Sequence, residues 1–245
     1  MSFGDHTGIW LKLGGPIVRR DSTEQAIAKR IAELCQNFAR YLGHFDAEER
    51  FAGPSLYFHR RTIERRKELN SALLAIKDER FREYLYATLA AWGLVRMGGV
   101  KMHDFARFTQ TLHRCATNIE ALEGVQIDTL SAPEVASVAE QICNVIGKLD
   151  ITDATAKIVP GTKALHHLLP ELVPPIDREH IGRFFGWQPG RMQDHRQPFI
   201  DMFPRFCHIA RTVNPSQYVG TGEWRTSRTK ALDNAILGYS LAHRT

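Results

Sequence analysis

The chain is poor in the features that mark several large protein classes. Its 245 residues include four cysteines, Cys35, Cys115, Cys143 and Cys207, none in the C-x-x-C spacing of a structural zinc site or a redox dithiol. Each lies among apolar neighbours at helical spacing, so buried, reduced thiols are expected rather than a disulfide framework. Long apolar runs are missing too, and none approaches the roughly 20 residues needed to span a bilayer. The first residues, MSFGDHTGIWLKLGG, carry an early Asp and neither a basic leader nor a long apolar stretch, so they do not read as a signal peptide. A cytoplasmic protein without membrane contact is expected. Also absent are the G-x-x-x-x-G-K-S/T phosphate loop, the G-x-G-x-x-G dinucleotide turn, the H-E-x-x-H zinc helix and the G-x-S-x-G nucleophile elbow. Segments that alternate with period two are few and form no series that could build a sheet.

What remains is helical patterning in an ordinary globular composition, with 43% hydrophobic and 24% charged residues. Ile27, Ile31, Leu34, Phe38 and Leu42 mark a stripe that predicts a helix from Asp21 or Ser22 to Leu42, stopped by Gly43. Before it, Ile9–Leu13 reads as a short extended arm closed by Gly-Gly-Pro. Further helices are expected from Pro54-Ser55 through HRRTIERRKEL, and along Phe81, Leu85, Leu89 and Trp92 to Gly93 or Gly98-Gly99. Others run from about His103 to Leu122, from Ser131 to Ile146, and near 178–186, 196–212 and 224–242. Ser131-Ala-Pro-Glu134 has the residues of a capped start, with Pro in the first turn and Glu at the third position. Pro198 and Pro204 make the 196–212 segment the least regular, since an interior Pro removes a hydrogen bond. One mainly α, compact multi-helix domain, with room for two lobes, is expected over residues 1–245.

Charge is uneven. Residues 1–158 hold 21 basic and 20 acidic side chains, residues 159–245 hold 11 and 7, so the basic excess lies near the C-terminal end. Arginine supplies 23 of the 32 basic residues, and its planar fork suits phosphate oxygens. A nucleic-acid partner fits this distribution, as does a merely solvated surface. Arg60, Arg61, Arg65, Arg66 and Lys67 cluster upstream, with Glu64 and Glu68 placed to balance them within one helix.

The densest stretch of special residues is VPGTKALHHLLPELVPPIDREHIGRFF, Val159 to Phe185. Pro160-Gly161 reads as a tight turn, Thr162 as the cap of a short helix Lys163–Leu169, and Pro174-Pro175 as an extended entry that leaves Asp177 at the next helix start. Adjacent histidines on a helix point in different directions, so His166 and His167 are expected to pack or face solvent. No metal and no cofactor are expected.

The order turn, Gly, Lys, short helix, Pro-built link, Asp, helix resembles the helix-hairpin-helix DNA glycosylase superfamily, whose hairpin L-P-G-x-G-x-K-T-A precedes an Asp in V-D-T-H. The matching residues are Val159-Pro160-Gly161, Lys163-Ala164 and Ile176-Asp177, with His180-Ile181 beyond, inside a helix-hairpin-helix-like element at 155–186. The hairpin is two residues short and lacks its second Gly. The resemblance implies excision of a damaged or modified base by hydrolysis of its N-glycosidic bond, in repair or in defence against modified phage DNA. It implies Asp177 as the catalytic carboxylate and Lys163 as a nucleophile that would add lyase chemistry. Gly161, Thr162, Arg178, Arg183, Arg225, Arg228 and Lys230 would then contact a DNA duplex, and Trp187, Tyr218 and Trp224 would stack on an extruded base. The alternative is a non-catalytic helical DNA-binding or protein-interaction module in which Asp177 only caps a helix.

Overall fold

Helix starts are where side-chain chemistry decides the backbone. The computed structural model describes residues 15–48, 52–94 and 100–243. The arm at Ile9–Leu13 and the stop at Gly98-Gly99 lie outside them. Among the described residues ten α-helices follow in chain order: α1 Gly15–Gln36, α2 Phe38–Asp46, α3 Pro54–Leu69, α4 Ala72–Lys77, α5 Glu79–Leu89, α6 Phe105–Glu120, α7 Ala132–Lys148, α8 Ile158–Leu168, α9 Arg196–Val213 and α10 Arg228–Ala242. Oxygen-bearing side chains open several of them. Asp78 accepts from Phe81 N–H at 2.7 Å, Asp104 from Arg107 N–H at 2.9 Å and Ser227 from Lys230 N–H at 3.2 Å, each satisfying a donor the helix leaves open. The expected capping box forms at α7, where Glu134 accepts from Ser131 N–H at 2.8 Å.

The fold is mainly α, and the described residues form no strand beyond one isolated bridge between Met102 and Thr152. One cluster of buried apolar side chains draws on α1, α2 and α4 through α10. Burial at this scale is the main force opposing chain entropy. Cys115, Cys143 and Cys207 are buried, Cys35 is half-buried, and none is in a disulfide. No helix among the described residues is long and apolar enough to cross a membrane.

Some element boundaries differ from the expected ones for physical reasons. The single helix expected to Leu42 is divided at Asn37, whose side-chain amide donates to Glu33 O at 3.1 Å, and Gly43 lies inside α2 rather than ending it. α4 was not expected, being six residues long and too short to show periodicity. In α9, Pro198 sits in the first turn, where an N–H has no intrahelical partner to lose, and Pro204 lies on the exposed side. The helix therefore runs on through both.

α2 and α10 pack closely because Gly238 presents no side chain to the α2 backbone. A Cβ built there would lie 1.8 Å from Tyr41 O and 3.2 Å from Phe45 N. Ala would favour the isolated helix by about 1 kcal/mol, but forcing two backbones apart costs roughly 1–3 kcal/mol or more. Gly238→Ala is therefore expected to destabilise, read as a lower urea midpoint. An unchanged or raised midpoint would contradict this packing.

Candidate active site

One hydrogen bond brings the two ends of the special stretch together. Thr162 is buried in α8, donates its hydroxyl to Ile158 O at 2.7 Å and accepts Ile176 N–H at 3.1 Å. This ties the Pro174-Pro175 link to the helix. The next residue on each side, Lys163 and Asp177, then lines the same cavity of about 470 Å³, within the roughly 300–1,000 Å³ usual for small-molecule pockets.

The cavity also takes Phe45 from α2, Trp92 from the turn after α5, and Trp224, Lys230 and Asp233 from the C-terminal region. Trp92 is fixed by its indole N–H, which donates to Ser55 O at 3.2 Å. Its carbonyl accepts from Lys163 Nζ at 2.8 Å. Burial pushes the Lys163 ammonium below its usual range, while Asp177 and Asp233 act in the opposite direction. Asp177 is half-buried, has extended backbone and uses Oδ1 to accept His180 N–H at 2.6 Å. It therefore caps the helical turn Arg178–Gly182 and borders the cavity at once.

Lys230 is buried, at 4% exposed. Its Nζ donates to Asp233 Oδ2 at 2.5 Å and to Asn234 Oδ1 at 2.7 Å, and lies 4.9 Å from the Trp224 ring centre and 5.4 Å from those of Phe45 and Trp92. These rings add cation–π attraction to the ion pair. Burial first, and then the neighbouring Asp177, raises the Asp233 pKa, with Lys230 pulling it back.

Behind this wall lie His59, His166 and His167, all fully buried. His59 stacks on Trp224, with ring centres 5.2 Å apart and planes at 20°. The hydrogen bonds fix the ring tautomers. His167 Nδ1 must donate to Lys163 O at 2.8 Å, so its Nε2 accepts from His59 Nδ1 at 3.0 Å, and His59 Nε2 accepts from the Thr226 hydroxyl at 2.8 Å. His166 Nδ1 donates to Val173 O at 3.1 Å. Burial holds all three rings neutral, pushing His59 and His166 well below the usual imidazole range and His167 down to about 3. One ligand nitrogen of each lies within 4.8 Å of the others.

Several expected roles require correction. Pro160 and Gly161 lie in the first turn of α8 rather than in a hairpin, and Gly161 is buried against Ile146. Neither Gly161 nor Thr162 can reach a phosphate from there, so Thr162 holds the pocket rather than DNA. Nor does Thr162 cap the helix. Lys230 is 4% exposed, which rules out a surface phosphate contact. Arg225 pairs with Asp46, Arg228 with Glu171 at 2.8 Å and Asp128 at 3.2 Å, and Arg183 with Glu179 at 2.8 Å. Arg178 is half-buried, with a buried Nε that makes no hydrogen bond. Of the stacking candidates, Trp224 lines the cavity. Trp187 instead donates to Asp201 at 2.8 Å, and Tyr218 packs on Phe38 with ring centres 5.1 Å apart. The arginines of the upstream basic cluster are ion-paired: Arg60 and Arg61 with Glu64, Arg65 with Glu68 and Asp78, Arg66 with Glu123.

Phe45, Trp92, Asp233 and His59 were not singled out as site residues. The signal for Asp233 was legible, because Lys230, Asp233 and Asn234 interrupt an otherwise apolar helix at one-turn spacing. Nothing local pointed to the other three. In comparisons with known proteins, no family model, no curated protein and no solved structure matches this chain.

Proposed function

We propose that the protein is a DNA glycosylase-like enzyme that takes a damaged or modified base out of a duplex and hydrolyses its N-glycosidic bond, in repair or in defence against modified phage DNA. The observation that supports this most is the convergence of Lys163 and Asp177 on one cavity walled by Trp92, Trp224 and Phe45. A flipped base needs an enclosing pocket with aromatic faces to offset unstacking. The Asp177 carboxylate would stabilise positive charge that develops on the deoxyribose as the base leaves, or orient the attacking water. Lys163, drawn toward its neutral form by burial, would attack the sugar carbon in a lyase branch.

The test is incubation with duplexes carrying different modified bases, followed by alkali to reveal abasic sites. Product is expected for at least one base, and borohydride is expected to trap a covalent adduct only if Lys163 attacks. The second reading is a non-catalytic helical module, favoured by the Asp177 cap to His180 and by the paired state of Arg183, Arg225 and Arg228. Duplex binding without abasic product across the panel would select it.

A further inference from the structure

We propose that His59, His166 and His167 form a binding site for one late first-row transition ion of the zinc class. Each is wholly buried, and together they bring one imidazole nitrogen apiece to within 4.8 Å of one another. Zinc takes imidazole nitrogens at about 2.0–2.1 Å, so ligands around one tetrahedral ion lie a few ångströms apart; the trio would close up by side-chain rotation to hold one.

Two further observations support a metal. His166 Nε2 is buried and makes no hydrogen bond, leaving a lone pair whose desolvation nothing offsets. The outer nitrogens have oxygen partners: Lys163 O for His167, Val173 O for His166 and Thr226 Oγ1 for His59. Metal-bound histidines donate their second N–H in this way, as His167 and His166 do here to backbone carbonyls; His59 would do so at Thr226 Oγ1 once its proton has shifted.

The change in bonding is small. Only His59 must shift its proton, from Nδ1 to Nε2, where it donates to Thr226 Oγ1. The bond from His59 to His167 is replaced by two bonds to the ion, and no proton leaves the protein. The nearby cations Lys163 and Lys230 are matched by Asp177 and Asp233. Adjacency alone makes His166 and His167 a poor arrangement for one ion; the proposed site adds a third ring, His59 from α3.

Untagged full-length protein, stripped with EDTA and titrated with Co²⁺, is expected to bind one equivalent with visible ligand-field bands. Zn²⁺ is expected to displace it and raise the melting temperature. His59→Gln and His166→Gln are expected to lose the bands and the thermal shift. Absence of both signals in the wild type would overturn the site, as would their retention in both variants, which would place the ion elsewhere. If either variant fails to fold, imidazole ¹⁵N resonances of the wild type decide instead. Zn²⁺ must move three buried histidines, and movement of surface histidines alone would overturn the proposal.

Discussion

Asp177→Asn is expected to lower base release by about 10²–10³-fold, the range seen when one electrostatic stabiliser of a transition state is removed. It is also expected to leave the fold intact. The two roles of this carboxylate separate in that substitution: Asn is as good an N-cap as Asp, so the bond to His180 N–H survives. A change of less than about 0.5 kcal/mol in stability should accompany the loss of activity. Asp177→Ala removes both and should cost about 1 kcal/mol in addition. Rates from single-turnover assays, set beside urea midpoints, check the pair. Full activity in Asp177→Asn would remove Asp177 from the chemistry.

Lys230→Met carries the largest expected effect on stability, about 3–5 kcal/mol, because it leaves Asp233 buried without its partner. Removing both charges in Lys230→Met/Asp233→Asn is expected to recover most of that loss, since the penalty lies in the orphaned carboxylate rather than in the missing attraction. The pH dependence follows in sign. Asp233 already has a folded pKa above its unfolded value, and loss of Lys230 raises it further. The folded state of Lys230→Met therefore binds more protons than the unfolded chain above the unfolded carboxylate pKa, so its stability falls as pH rises through the folded pKa. The single variant should be least impaired in acid and most impaired once the pH has passed the raised Asp233 pKa, with the double variant lacking this dependence. Urea midpoints across that range measure it. A pH-independent deficit would mean that lost packing against Trp224, Phe45 and Trp92, not charge, sets the cost.

Much of the helical fold was legible because helix formation is local. The run of Phe81, Leu85 and Leu89 and the Ser131–Glu134 box depend on neighbours within a turn or two, and they reappear in α5 and α7. Boundaries failed where a local sign was outweighed. Gly43 looked like a stop, yet α2 continues through it, and Pro160-Gly161 looked like a turn, yet Pro is compatible with the first turn of α8. The site was half legible. Lys163, Asp177, Trp224 and Lys230 were named, but Lys230 was given to phosphate when its surroundings are three aromatic rings and a carboxylate. Trp92 and Phe45 reach the cavity from segments far away in sequence, and the His59 contact with His167 spans 108 positions. No period or spacing encodes such encounters; they follow from packing.

The central claim, that Asp177 and Lys163 act on a nucleotide held in the aromatic cavity, is tested most directly by mass spectrometry of small molecules released from DNA rich in modified bases. Wild-type protein is expected to release a free base and leave an abasic site, and Asp177→Asn to bind the same DNA and release almost none. Failure to release any base, or equal release by Asp177→Asn, would contradict it.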